Sequence, residues 1–326
     1  MKTRFLKADV AGMKAAAQAL RRGQLVAFPT ETVYGLGARA LDAKAVKKIY
    51  RAKGRPSDNP LIVHVNGSAM METVAHPTSL ARKLIAAFWP GPLTLILKSS
   101  GLVPDVVTGG QETIAVRCPA HPFFQTLIDF LGEPIAAPSA NLSGRPSPTT
   151  AAHVYADLDG RIALILDGGP CNEGLESTII DARGRYPVLL RPGSLTVEDI
   201  ARAAGVKVLN PGANSPASPG TRYRHYAPDC RVELVSPRRV REGIEALKFP
   251  KTGLIHRSPS GAPLPGFSRK IPGGLDVYAR SLFASLREAE SFGVKTLYVE
   301  TVPKRGVGRA VMDRLQRAAG LSHPAQ

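Results

Sequence analysis

Residues 210–220 read NPGANSPASPG, and this stretch decides how the rest of the chain is parsed. Rich in Pro, Gly, Ser and Asn and free of hydrophobic periodicity, it can bury little surface and reads as an interdomain linker. Upstream of it, helical periodicity marks 10–22, 43–50 and 80–88, with Gly23 and Pro90 as stops and Asp42 as a start signal. Between these lie short apolar runs at 24–28, 61–65, 93–97, 113–117, 134–137, 162–166, 178–181 and 188–191, which read as strands. Downstream the pattern restarts: strands at 231–235, 252–256 and 294–300 alternate with helices at 238–247, 275–290 and 308–319, and the longest loop is 259–274. The fold class is therefore α/β, with a larger mixed sheet before the linker and a smaller doubly wound, Rossmann-like unit after it. The expected organisation is 1–209, a linker at 210–229, and 230–326.

The chain has 326 residues, 43 Lys and Arg against 26 Asp and Glu, and a net charge of +17; hydrophobic residues make up 44%. That composition is globular rather than disordered. The excess is uneven, about +5 over residues 1–200 and about +12 over 201–326. Nucleic acid, an anionic small substrate or general surface charge would each account for it. Cys118, Cys171 and Cys230 lie too far apart for a disulfide framework or a CxxC metal site, which fits a reduced cytoplasm. No apolar run approaches the roughly 20 residues of a membrane span, and the first residues lack a signal-peptide core.

No GxxxxGK[ST] or HExxH motif occurs. Gly35-Leu36-Gly37-Ala38-Arg39-Ala40 matches GxGxxA, but residues 29–32 separate it from the strand, and the next helix starts only near Asp42. It is a poor dinucleotide fingerprint. Three other segments follow apolar strands or stand beside one. PTETVYGLG (29–37) gathers Thr30, Thr32, Tyr34 and Glu31. Lys53-Gly54-Arg55-Pro56, followed by Ser57, Asp58 and Asn59, can set two cations near one anion. Residues 137–149 (APSANLSGRPSPT) gather hydroxyls, an amide and an arginine. Singly these read as a polar turn, a solvated basic loop and a loop of turn formers, and His64 as a core histidine. Together, polar groups at three strand ends are the pattern of a ligand site.

PTETVYGLG, KGRPSDNPL (53–61) and PSANLSGRPSPT (138–149), with GLESTIID (174–181) and LLRPG (189–193) in the same order, resemble the YrdC-like family of L-threonylcarbamoyladenylate synthases. SPGTRYRHYAP (218–228) resembles the linker of its longer two-domain form, departing at Thr221, where Met is usual. The resemblance implies formation of threonylcarbamoyl-AMP from L-threonine, bicarbonate or CO2, and ATP, with pyrophosphate released, as the first step of tRNA N6-threonylcarbamoyladenosine synthesis. It implies Lys53, Arg55, Ser139 and Asn141 as the catalytic signature, with Lys53 and Asn141 near the phosphates and the carbamate. L-Threonine would be held by Thr32, His64, Arg117, Ala137 and Ser177. ATP would be held by Arg55, Asn59, Thr113, Ser139, Ser147, Arg191, His225 and Tyr226, with Tyr223 as a further support. Mg2+ would arrive on the ATP, Glu31 and Asp58 being weak candidates to meet it. The implied partner is a downstream threonylcarbamoyl-transferase complex, and whether tRNA binds directly is left open.

Two readings from other classes compete. One is an RNA-binding module in tRNA or ribosome maturation, against which the chain lacks RNP-like aromatics or a dense Arg-rich tract. The other is a carbamoyl transferase of hydrogenase maturation, against which three scattered cysteines offer no zinc segment. The basic, aromatic run Arg222-Tyr223-Arg224-His225-Tyr226 suggests a lid over the nucleotide that keeps water from a labile mixed anhydride. The C-terminal unit shows no catalytic cluster of its own and reads as a docking or regulatory module.

Overall fold

The computed structural model describes residues 2–212, 215–216, 225–261 and 266–321. The first unit begins β1 (Arg4–Lys7), α1 (Val10–Arg21), β2 (Val26–Phe28), β3 (Gly35–Arg39), α2 (Ala43–Lys53), β4 (Ile62–His64), α3 (Ser68–Val74), β5 (Ala75–His76), α4 (Ser79–Phe88) and β6 (Leu93–Ser99). It continues α5 (Asp105–Thr108), β7 (Thr113–Arg117), α6 (Pro122–Leu131), β8 (Ile135–Ala137), α7 (Ala151–Leu158), β9 (Leu164–Asp167), β10 (Thr178–Asp181), β11 (Val188–Arg191) and α8 (Val197–Ala204).

The strands form one mixed sheet in the order β1-β9-β2-β3-β8-β4-β7-β6-β10-β11, with β5 beside β6. The glycines of the GxGxxA run lie inside β3, not at a strand-to-helix turn. A Cβ on Gly35 would stand 2.8 Å from the Phe28 ring, and one on Gly37 2.5 Å from it. Both glycines make room for an aromatic side chain on the paired strand. Helix α2 starts at Asp42, whose side chain accepts from the Ala45 amide, and stops at Gly54 in the left-handed conformation (φ 62°). The helix expected over 43–50 thus continues to Lys53.

The two faces of the sheet are covered unequally, and this creates the site. On one face, α2, α3, α4, α7 and α8 supply Ile49, Met71, Leu84, Val154 and Ile200 to a core that includes Val63, Leu95, Val116 and Ala136. On the other, α1 and α6 pack Leu20, Phe124 and Ile128 onto Val26, Phe28, Ile135, Ala137 and Leu164. Their cover ends there. Farther along the same face, Ile62, Ile96, Ala115 and Ile179 form a small apolar floor with no first-unit helix in their cluster.

The second unit runs β12 (Arg231–Val235), α9 (Pro237–Glu242), β13 (Thr252–His256), β14 (Phe267–Lys270), α10 (Leu275–Ser291), β15 (Thr296–Glu300) and α11 (Gly308–Ala318). Its strands lie in the order β12-β15-β13-β14, and every pair is parallel. Val240 of α9 packs on one face with Leu254 and Tyr298. On the other face α10 and α11 pack with Val232, Ile255, Leu297 and Val299. The unit is doubly wound, as expected, but β14 occupies part of the stretch read as a loop. The helix read over 238–247 stops at Glu242 and gives way to a 3-10 turn at Glu245–Lys248.

The core of the second unit also takes in Val33 and Leu175 of the first. Gly174 (φ +73°) sits so close to α10 that a Cβ there would stand 2.4 Å from the Arg280 Cα. Among the described residues, no helix is long and apolar enough to cross a membrane.

Candidate active site

The parallel pairing of β4 with β7 sets Ile62 opposite Ala115 and His64 opposite Arg117. Ile62 also lies opposite Ala137 of β8. These side chains share the open face of the sheet, because alternate residues of a strand point the same way. Around them a pocket is lined by Thr30, Lys53, Arg55, His64, Arg117, Ala137, Ser139, Asn141, Ser147, Ser177, Arg191, His225 and Tyr226, with Glu176 among its walls. Residues from nearly two hundred positions of sequence converge there.

Four of its cations are almost fully removed from water: Lys53 is 3% exposed, Arg55 9%, Arg117 4% and Arg191 5%. Burying a charge is costly unless partners compensate it, so their arrangement is informative. Lys53, on the last turn of α2, donates to the Ser139 carbonyl at 2.6 Å, the Asn141 carbonyl at 2.5 Å and Asn141 Oδ1 at 3.4 Å. It is an anchor for the 139–149 loop rather than a solvated basic side chain. Burial, then the nearby Arg55 charge, pulls its pKa well below the usual lysine value.

Arg55 donates to the Asn59 and Pro60 carbonyls at 3.4 and 3.1 Å, and burial brings it down to about 10. Arg191 donates to the Ser177 carbonyl and hydroxyl. Arg117 lies 2.8 Å from Glu31 Oε1 in an ion pair without hydrogen-bond geometry.

His64 Nδ1 lies 3.1 Å from the Ile62 carbonyl, and its ring meets Phe28 and Phe124 edge-on. Burial, reinforced by the Arg117 charge, lowers it to about 3, so the imidazole is neutral. It is both a core histidine and a pocket wall. Ser139 Oγ donates to Asn141 Oδ1 at 2.5 Å, and the Asn141 amide nitrogen ties back to the Leu142 and Arg145 carbonyls. Ser177 Oγ pairs with Thr94 Oγ1 at 2.7 Å. Ser147 Oγ donates to Glu176 Oε1.

Three expected residues stand outside the lining. Thr32 is buried beside it, 2.9 Å from Thr30 Oγ1. Thr30 itself donates to the Val33 carbonyl and accepts from the Thr32 and Val33 amides, and the Tyr34 hydroxyl donates to the Gly169 carbonyl. Most hydroxyls of 29–37 thus brace their own loop. Thr113 starts β7, four positions from Arg117. Asn59, fully buried, lies beyond Arg55, and neither atom of its amide has a hydrogen-bond partner.

His225 and Tyr226 complete the lining of the pocket. Both are buried, and Tyr226 holds a left-handed φ of 68°, an uncommon conformation for a residue with a Cβ. Burial, then the charges of Arg55 and Lys53, lowers His225 to about 3. Its Nε2 has no partner. Tyr223, with Arg222 and Arg224 of the expected lid, lies outside the described residues.

The Sua5/YciO/YrdC family model, described as "Telomere recombination", matches residues 18–193. The chain belongs to that family. A second model, "Threonylcarbamoyl-AMP synthase, C-terminal domain", matches 195–320. The threonylcarbamoyl-AMP synthase of Pyrococcus abyssi is 46% identical over 322 residues, covering 94% of this chain and 94% of the relative. That of Bacillus subtilis is 46% identical over 319 residues, covering 94% and 92%. The crystal structure of P. abyssi Sua5 complexed with L-threonine superposes with a TM-score of 0.90 at 43% identity, covering 98% of each chain.

Two residues not singled out from the sequence matter here: Glu176, which lines the pocket, and Arg314, which contacts Glu176 and Tyr226 from outside the lining. Glu176 was read only as part of the GLEST segment, and Arg314 not at all. A signal for Arg314 existed: Val311, Arg314, Leu315 and Ala318 repeat at helical spacing and are all buried, so a charge stands on an apolar stripe.

Proposed function

We propose that the chain condenses L-threonine, bicarbonate or CO2, and ATP into L-threonylcarbamoyl-AMP and releases pyrophosphate, the first step toward N6-threonylcarbamoyladenosine in tRNA. The observation that carries this reading is the convergence of four buried cations on one pocket that also holds a neutral histidine and several hydroxyls. The threonine amine attacks the carbon of CO2, or of bicarbonate with loss of water, and gives up a proton to form the carbamate; a carbamate oxygen then attacks the α-phosphorus of ATP as pyrophosphate leaves. Negative charge accumulates throughout, so fixed cations and aimed donors do the work. A phosphodiester track would instead need its cations facing solvent.

L-Threonine belongs at the His64–Arg117 end, with Thr32, Ala137 and Ser177 around it. ATP belongs toward Arg55, Asn59 and Thr113, with Ser139, Ser147 and Arg191 along it and Lys53 and Asn141 shaping the phosphate loop. Asn59 fits a base edge because its buried amide offers both a donor and an acceptor that nothing else uses. Mg2+ would enter with the triphosphate as part of the substrate, the Glu31 and Glu176 carboxylates being engaged by Arg117 and Arg314.

The cavity measures only about 60 Å3, room for a few waters. ATP needs more room than this, and the walls proposed to move are His225 and Tyr226, the linker residues of the lining. In this reading 1–209 is the catalytic domain, 210–229 the linker and lid, and 230–326 the second domain. The product passes to a threonylcarbamoyl-transferase acting on tRNA, in the cytoplasm, where free cysteines persist.

The test is incubation with all three substrates, trapping of the adenylate by mass spectrometry, and assay of pyrophosphate. Release should require threonine, bicarbonate and ATP but no RNA. Release that needs tRNA, or none at all, rejects the reading.

A further inference from the structure

Arg314 sits on α11 of the second unit and has no exposed surface. Its Nε donates to Glu176 Oε2 at 2.8 Å and one terminal nitrogen to the Pro192 carbonyl at 3.0 Å. The other donates to Asp313 at 2.5 Å. Its guanidinium carbon stands 5.2 Å from the Tyr226 ring centre, and Phe283 of α10 stacks with Tyr226 at 5.4 Å between ring centres. The second oxygen of Glu176 accepts from Ser147. A continuous chain therefore runs from α11 through Glu176 to a hydroxyl in the pocket wall, and a branch runs to Tyr226 of the lining.

Burial alone would raise the Glu176 pKa. The Arg314 and Arg191 charges, with hydrogen bonds from Ser147 and Arg314, overcome this and hold it below the ordinary value. Glu176 thus stays an acceptor and fixes the direction of the Ser147 O–H. A second arm reaches the same loop from α10, where Arg287 donates to the Pro146 carbonyl and to both oxygens of the buried Asp157. Pro146 and Ser147 are adjacent, so two arginines of the second unit brace one short piece of the pocket wall.

We propose that Arg314 is a positioning residue for the nucleotide, aligning Ser147 through Glu176, so that the second unit completes the pocket rather than only docking partners. This rests on the functional reading above. It adds a structural role to the expectation that the C-terminal unit is a docking or regulatory module.

The test is a double-mutant cycle in the full chain with Arg314→Met and Ser147→Ala, read as KM for ATP, KM for threonine, kcat and melting temperature. Each single variant should raise the KM for ATP about tenfold and that for threonine less than threefold. The double variant should be no worse than the poorer single, because both changes remove the same alignment. Arg314→Lys keeps the buried charge but not the fork of donors; it serves as the second variant should Arg314→Met not fold, and should show the same selectivity. Multiplying losses, equal changes in both KM values, or an unchanged KM for ATP overturn the inference. An inactive parent enzyme instead overturns the functional reading, and this inference with it.

Discussion

The two ends of the pocket differ in how their polar atoms are satisfied. At the His64–Arg117 end, Arg117 lies against Glu31 in an ion pair without hydrogen-bond geometry, His64 faces the Ile62 carbonyl and Ser177 faces Thr94. At the Arg55–Asn59 end, Arg55 Nε, both Asn59 amide atoms and His225 Nε2 are buried with no hydrogen-bond partner. Unmade hydrogen bonds in a dry site are expensive. One end therefore holds an ion pair of its own, while the other leaves guanidinium, amide and ring atoms unpartnered. The proposed function sets the larger, more polar substrate at this second end, and that placement is open to test.

The sharpest way to break this comparison is to remove one cation from each end. Arg55→Ala should abolish adenylate formation, lowering kcat/KM by about a thousandfold or more, as expected for loss of a charge-assisted contact that strengthens in the transition state. The protein should stay folded. Arg117→Ala should act mainly on threonine, raising its KM about a hundredfold with little change for ATP. Steady-state kinetics with each substrate varied in turn distinguishes them, and reversed selectivities would exchange the two ends.

The halves of the chain also differ in how legible they were. In the second unit β12, β13, β15, α10 and α11 fall within two residues of their expected places, because each is an apolar run or a periodic stripe bounded by turn residues. Strand β14, FSRK, escaped because an edge strand with three exposed residues carries no apolar signature. In the first unit β3, GLGAR, escaped for another reason: its glycines answer to the Phe28 ring on the neighbouring strand, a tertiary demand that local propensity cannot express.

The site shows the same division. Polar residues gathered at strand ends were visible, and family resemblance supplied their roles. The fate of Lys53 was not visible, since the three oxygens that hold it are 86 and 88 positions away. Nor was the pairing of Glu176 with Arg314, 138 positions apart. The apolar stripe around Arg314 marks a buried charge, but nothing local in the sequence names its partner.

A sharper probe of the Arg55–Asn59 end is Asn59→Leu, similar in volume and without polar atoms. If the nucleotide satisfies this amide, the variant should raise the KM for ATP by about fiftyfold and leave that for threonine unaltered. Without substrate it should be more stable by about 1 kcal/mol, because two unpartnered buried atoms are gone. Chemical denaturation measured with and without ATP checks both parts. A variant less stable than the parent in both conditions would mean that the amide is satisfied within the protein itself.

The smallest effect concerns the histidines, one at each end. His64 and His225 are both held near 3 by burial and neighbouring cations, against 6.5 for an unperturbed imidazole. The unfolded chain therefore binds protons that the folded chain refuses, and stability rises with pH across that window. It is fully present above about pH 6.5 and declines as pH falls toward 3. Between pH 7.5 and 5 each histidine should remove about 2 kcal/mol of stability. His64→Gln should flatten the decline by roughly that amount, as should His225→Gln, since the two rings titrate against different cations. Equal pH slopes for parent and variants in denaturant melts would show that neither ring is forced to remain neutral, and would remove the neutral imidazole from the threonine end.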